Sequence, residues 1–397
     1  MTAAADSLRQ DVKVIGLVAL AHGLSHFYQI ATAVLFPLIK DDLGVSYAAL
    51  GSTVALYYVV SGICQTLAGF AVDRYGARRV LFSGLALAVL GALMAGLAQN
   101  FPMLVAAAVV GGLGNSVFHP VDFSILNARV DKARLGYAFS WHGIAGYLGY
   151  AAAPAYGIAM ATTFGWRGAL LGAALVGVVV IAVLASQGAM LQAMPARHRQ
   201  DAGGLRPLLH PQVLMVFGYF VLLGVAFIAI QTFGVTAMVS LYGVDVVLAS
   251  AALTAYLVGG AVGIFCGGFL AVRASRHDLV AVSGMACSAA LAFVLAAAWL
   301  PAALLPLLLG AAGFSGGLTN PSRDLIVRAS TPPGATGKVY GFVYSGLDVG
   351  SMVTPVVFGW LIDRGQPAAV FYAVVAVLAL SILTVLKLPG RRTSPGS

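Results

Sequence analysis

Long apolar runs separated by short polar turns fill almost the whole chain. Runs long enough to span a bilayer, which takes about 20 residues in a helix, fall at 14–39, 47–72, 79–98, 103–128, 137–160, 167–187, 212–240, 247–272, 279–299, 302–328, 339–362 and 367–387. They predict twelve transmembrane helices. Backbone inside a bilayer must satisfy its own hydrogen bonds, which leaves helices or closed barrels. The runs are too long for barrel strands and lack period-two alternation. The predicted class is an all-α integral membrane protein. The first run is too long for the core of a cleaved signal peptide and reads as the first helix.

The pattern repeats. Pro120 and Pro321 are 201 residues apart, and the same offset pairs Gly136 with Gly337, Gly149 with Gly350, and Pro154 with Pro355. The chain therefore divides into two pseudo-symmetric six-helix bundles, 1–187 and 212–390, joined by a polar linker at 188–211 and followed by a disordered tail at 391–397. Two parallel six-helix repeats place a substrate site near the middle of the membrane, between the halves.

Composition sharpens this picture. Of 397 residues, 60% are hydrophobic and 9% charged, and mean hydropathy is +0.94, against about 25% charged in a soluble domain. The net charge of +9 is not a nucleic-acid signature, because Lys and Arg cluster in alternate loops. Seventeen of the 22 basic residues lie on one side of the predicted topology, including Arg9, Lys13, the Arg74–Arg79 loop, Arg129–Arg134, the linker and Lys387–Arg392. Only Lys40, Arg167 and Arg364 lie opposite. Cytoplasmic loops carry the basic excess, so both termini are expected in the cytoplasm, in a bacterial-type inner membrane. Cys64, Cys266 and Cys287 sit in apolar runs without metal-ligand spacing and read as small core residues.

The loop after the second run reads Gly69-Phe-Ala-Val-Asp73-Arg74-Tyr-Gly76-Ala-Arg78-Arg79. It resembles the GxxxDRxGRR signature of the major facilitator superfamily, with one extra residue before the arginine pair. The resemblance covers essentially the whole chain. It implies transport by alternating access, with Gly69, Asp73, Arg74, Gly76, Arg78 and Arg79 as a conformational latch. Gly69 would permit close helix approach. In the second half Val272 stands where Asp73 does, so no second latch is expected.

A narrower resemblance follows from GNSVFHPVDFS, the Gly136-Tyr-Ala-Phe-Ser segment and a glycine-rich fifth run with Gly143, Gly146, Gly149, Pro154 and Gly157. These are similar to the fosmidomycin-resistance branch, which implies a proton-coupled drug exporter. That branch is expected to carry an acid directly after the proline. Here Val121 takes that place and the acid is Asp122, about 100° further round a helix. The glycines also serve simply to let helices pack.

Polar groups at bilayer depth usually face an interior or an aqueous cavity. His22 and His26 lie one turn apart on the first helix, with Tyr28 and Gln29 beyond. Histidine titrates near physiological pH, so His22 suits proton coupling, and His26, Tyr28 and Gln29 suit a cavity wall. Buried neutral histidines bridging helices are the alternative. No further ligand lies at helical spacing, so no metal is expected. On the fourth helix Asn115, His119 and Asp122 share one face, with His119 and Asp122 suited to proton coupling. Pro120 kinks the helix and frees carbonyls. The fifth helix offers His142, Tyr147 and Tyr150, and the seventh Gln231.

On the tenth helix Asn320, Arg323 and Asp324 fall together. Arg323 either anchors an anionic substrate, for which its planar fork is suited, or forms an ion pair between helices. Tyr344 and Asp348 lie one turn apart on the eleventh helix. A mid-membrane carboxylate suits a proton carrier, and a fixed pairing with arginine is the alternative. Asn115, His119, Tyr147, Gln231, Asn320, Arg323 and Tyr344 complete the cavity set, and Asp122, Asp348, His22 and His119 the coupling set. No phosphate loop or hydrolase motif is present, so the expectation is a monomeric secondary transporter. It has no cofactor, no catalytic residues and no nucleic-acid partner, and its partners are a small organic solute, protons and the lipid bilayer. An importer of an organic acid or metal chelate is the alternative, and an intramembrane enzyme or receptor a remote one.

Overall fold

The computed structural model describes residues 2–131, 134–192, 206–330 and 336–387, with the side chains of 2–6, 66, 70, 73, 136, 206–207, 272, 328, 336–338 and 340–341 outside that description. The described residues are helical almost throughout and contain no strand. In order they form α1 (Thr2–Ala31), α2 (Phe36–Leu43), α3 (Tyr47–Tyr75), α4 (Ala77–Gly96), α5 (Phe101–Asn115), α6 (Phe118–Arg129), α7 (Leu135–Ser186), α8 (Pro211–Tyr242), α9 (Val246–Arg273), α10 (His277–Ala297), α11 (Leu305–Ala329), α12 (Thr336–Asp363) and α13 (Ala368–Lys387).

Eleven of these stretches are long and apolar enough to cross a membrane. One of them, within α7, runs for 50 residues, enough for two crossings at about 20 residues each. It turns at Gly165, whose φ of 69° and ψ of 173° lie outside the helical region and where only glycine fits readily. The count of twelve follows. The chain is an all-α membrane protein built as two six-helix bundles.

Two compact units are present: residues 1–45 with 56–198, and residues 46–55 with 199–397. In the first unit, α1 packs along the first part of α7 through a glycine seam. A Cβ added to Gly149 would lie 2.0 Å from the Gly23 carbonyl oxygen. In the second unit, α8 packs on α12 in the same way, and a Cβ on Gly350 would lie 2.4 Å from the Val221 carbonyl oxygen and 3.1 Å from the Gly224 carbonyl carbon. Gly23 and Gly224 are themselves 201 residues apart, which adds a fifth pair to the repeat.

Residues 46–55 belong to the second unit because Asp363 caps their helix. Its two carboxylate oxygens accept from the Tyr47 and Ala48 backbone N–H groups at 3.0 and 2.9 Å, a favourable use of an anion at a helix N-terminus. Gly51 and Gly359 then let backbone approach backbone, at Pro355 and Tyr47 respectively.

The predicted fourth span is two helices. The helix is interrupted at Ser116 and Val117 between α5 and α6, although both keep right-handed helical φ/ψ. Pro120 has no N–H to give the Ser116 carbonyl four residues earlier, which explains the break. The second-half counterpart is unbroken: α11 carries Pro321 inside a single helix.

Candidate functional site

In the first unit the polar residues singled out above fall into two connected groups. Gln29 is the centre of one. Its Nε2 donates to Asn115 Oδ1 at 3.0 Å, and its Oε1 accepts from the Tyr58 hydroxyl at 3.2 Å and from the Tyr150 hydroxyl. Asn115 Nδ2 donates in turn to Ser61 Oγ at 2.8 Å. Tyr28 stands apart from this group and donates to the Ala173 carbonyl at 2.9 Å. Tyr147 is half-buried on α7.

The second group is a knot of four imidazoles around one carboxylate. Asp122 on α6 is fully buried, with 0% exposure, and His22 on α1 and His142 on α7 are buried beside it. Asp122 Oδ2 lies 3.0 Å from His142 Nε2 and 3.0 Å from His22 Nδ1. The first contact is an aligned hydrogen bond, and the second is not. The His22 and His142 rings stack at 3.5 Å between centroids. His26 lies 4.4 Å and His119 5.5 Å from the His22 ring. His119 is on the accessible side and its Nδ1 meets Gln65 Oε1 at 3.2 Å. Among the described residues no Lys or Arg pairs with Asp122. Burying a lone carboxylate costs several kcal/mol, so its imidazole neighbours are what make this position tolerable.

The glycine seam creates the room. Gly23 lies between His22 and His26 on α1, and a Cβ on Gly146 would stand 3.0 Å from His26 Nδ1 and 3.2 Å from His22 Nε2. The expectation of no metal rested on spacing within one helix. The structure instead assembles nitrogen and oxygen donors from three helices: two triads, His22–His26–His119 and His22–Asp122–His142, each have ligand atoms within 4.8 Å of one another. His142 had no assigned role in the sequence. The signal was there, because His142, Gly146 and Gly149 repeat at i, i+4 and i+7 and so share the helix face that packs on α1.

The second unit gathers different groups. Arg323 Nε donates to Asp324 Oδ1 at 3.0 Å and Nη1 to Asn320 Oδ1 at 3.3 Å. The Tyr344 hydroxyl donates to the same Asp324 oxygen at 2.8 Å. The guanidinium carbon lies 5.0 Å from the centre of the Phe220 ring and 5.7 Å from that of Tyr344. Asp348, one turn beyond Tyr344, is half-buried and forms no ion pair or hydrogen bond among the described residues. Gln231 on α8 is buried, and neither side-chain polar atom has a hydrogen-bond partner among the described residues.

The loop signature divides. Gly76 has φ 83° and starts α4, a conformation that favours glycine. Arg74 and Arg79 are exposed, and the Arg78 guanidinium lies against Gly188, where an added Cβ would stand 2.6 Å from its Nη2. The Asp73 side chain lies outside the described residues. The close approach expected at Gly69 is absent: a Cβ there would meet nothing within 4 Å among the described residues. Close crossings among the described residues of this region fall at Gly111, Gly112 and Gly114 on α5.

Comparison with known proteins agrees with this architecture. The family model "Major Facilitator Superfamily" matches residues 18–245 and 215–397. The fosmidomycin resistance protein of Escherichia coli is 23% identical over 283 residues, which cover 68% of this chain and 68% of that protein. A multidrug resistance protein B homolog of Mycobacterium tuberculosis is 29% identical over 156 residues, 39% of this chain and 29% of the relative, so the match spans under a third of that relative's length. The solved nucleoside transporter NupG superposes with a TM-score of 0.77 at 15% identity, covering 96% of this chain and 100% of that one; at that identity the likeness speaks to the fold. With the family match running through both halves, this chain belongs to the Major Facilitator Superfamily and is a membrane transporter rather than an enzyme.

Proposed function

We propose that this transporter moves a small anionic or amphiphilic organic solute by alternating access, coupled to protons, with export of the drug-resistance type as the favoured direction. The observation that carries the solute class is Arg323. Its guanidinium lies against the Phe220 and Tyr344 rings and within reach of Asn320 in a largely apolar helix. A flat cation beside aromatic faces suits a solute with an anionic group and an apolar body. The fork takes the charge and the rings take the remainder. The solute anion competes with Asp324 for the guanidinium, so binding and release amount to an exchange of partners.

Asp348 supports the coupling. It shares a helix face with Tyr344 and has no cation beside it among the described residues. A proton taken there changes the charge next to the anion contact, which links solute and proton in one cycle. The asymmetry of basic loops supports placement in the cytoplasmic membrane with both termini inside, and the 69–79 loop is proposed as the latch between states. The drug-resistance relatives support the direction.

The test uses purified full-length chain in proteoliposomes with labelled fosmidomycin as the first probe. An interior-acid gradient drives accumulation if solute and protons move in opposite directions, and an uncoupler abolishes it. Accumulation only under an interior-alkaline gradient overturns the export direction in favour of symport. Equal uptake with and without a gradient, across fosmidomycin and a panel of small organic anions, overturns the coupling.

A further inference from the structure

The histidine knot in the first unit holds more donor atoms than hydrogen bonding uses. His26 Nδ1 and Asp122 Oδ1 are buried with no hydrogen-bond partner among the described residues, and His22 Nδ1, 3.0 Å from Asp122 Oδ2, is not aligned for a hydrogen bond to it. Buried polar atoms are nearly always satisfied, and an orphan in a native structure calls for an explanation, an ion among them. Here two orphans and one misaligned nitrogen fall in one cluster, and each is an atom type that ligates metals. The His22 ring centroid lies 3.5 to 5.5 Å from those of the other three imidazoles; such rings repel one another when protonated, whereas one dication between them attracts every nitrogen lone pair.

We propose that His22, His26, His119, Asp122 and His142 form a binding site for a divalent first-row transition cation inside the first unit. The donors come from α1, α6 and α7, and both candidate triads share His22. Asp122 supplies the negative charge, and among the described residues no Lys or Arg competes for it. Gly146 keeps open the hollow against His26 Nδ1 and His22 Nε2 that a larger side chain would fill. Gln65 Oε1 accepts from His119 Nδ1 in the tautomer that leaves Nε2 free to ligate, the outer-shell arrangement that orients metal-binding histidines. Imidazole nitrogen with one carboxylate suits Zn2+, Co2+ or Ni2+. Hard cations such as Ca2+ and Mg2+ take oxygen shells, and no cysteine joins the cluster. This site stands on its own geometry and does not depend on the solute or direction proposed above.

The experiment is a Co2+ titration of the full-length chain, purified without a polyhistidine tag, stripped with EDTA and followed by visible absorption. One Co2+ per chain binds, gives ligand-field bands and is displaced by Zn2+. Asp122→Asn and His142→Ala each weaken binding at least about tenfold, since even outer-shell losses cost about 10–100-fold. His210→Ala, at the exposed start of α8, leaves it unchanged. If the cluster variants aggregate, zinc-edge X-ray absorption of the wild-type protein decides: two or more imidazole ligands support the site, and one or none overturns it. Substoichiometric Co2+ without ligand-field bands overturns it, as does undiminished binding in both folded variants.

Discussion

The two halves share a skeleton and differ in what they hang on it. Gly23 meets Gly149 in the first unit as Gly224 meets Gly350 in the second, so α1 on α7 and α8 on α12 are the same close crossing. Around that crossing the chemistry is replaced. Shifted by 201 residues, His22, His26, His119, Asp122 and His142 become Leu223, Phe227, Asn320, Arg323 and Val343. The hydrogen-bonding Gln29, Asn115 and Tyr58 become Ile230, Gly316 and Gly259. A close helix crossing tolerates only small residues at the seam, but it leaves the flanking positions free. One half has filled them with nitrogen donors around a carboxylate. The other has filled them with an arginine, an asparagine that accepts from it and three apolar residues. Asp122 and Arg323, of opposite sign at equivalent positions, fit the two proposals made above, a bound cation in the first half and an anionic solute in the second.

The equivalence of the crossings breaks most visibly at the seam. Gly149→Ala and Gly350→Ala each force a Cβ against a backbone carbonyl at 2.0 and 2.4 Å. Overpacking of this kind costs about 1–3 kcal/mol, and neither clash has a flexible side chain to yield. Both variants should melt well below the parent in detergent, and a parental melting temperature for either would show that the crossings are not alike. Gln29→Leu comes next. It leaves Asn115, Tyr58 and Tyr150 short of a partner, and unmet buried groups cost about 1–3 kcal/mol each. Its counterpart Ile230→Leu should be near neutral, so equal losses would erase the contrast between the halves.

Arg323→Lys keeps the charge and discards the planar fork. Affinity for an anionic solute should fall about tenfold, or about 1.4 kcal/mol, with a neutral solute affected less. Equal effects on both would remove the anion contact. Gly143→Ala sets the lower bound, because an added Cβ there meets nothing within 4 Å. Alanine gains up to about 1 kcal/mol over glycine inside a helix, so the melting temperature should hold or rise slightly.

Much of this was legible in the chain. The apolar runs, the Asp73–Arg79 loop and the Gly/Pro repeat each follow from local rules, because bilayer length, helix period and loop charge all act along the sequence. Within single helices the pairing of His22 with His26 and of His119 with Asp122 was equally plain. What spacing could not supply was the meeting of three helices at one point. Asp122 stands one position past the place expected of its branch, and that extra step around α6 is what aims it at His22 and His142. His142 carried a usable sign, its register with Gly146 and Gly149. Gly69 misled in the opposite sense: the residue type permits a close crossing but does not require one. The break before Pro120 and the unbroken helix through Pro321 show the same limit, since identical prolines act differently on different neighbours.

The most direct measurement is gradient-driven transport by the wild-type chain and by Asp348→Asn, side by side in proteoliposomes, using fosmidomycin and a panel of small organic anions. The wild type should accumulate at least one of them against its concentration gradient when a pH gradient is imposed, and lose that accumulation with an uncoupler. Asp348→Asn should be folded, incorporated to the same level and unable to accumulate it. Accumulation of every transported solute to the same level in both proteins would contradict the proton role of Asp348 and the coupled mechanism built on it.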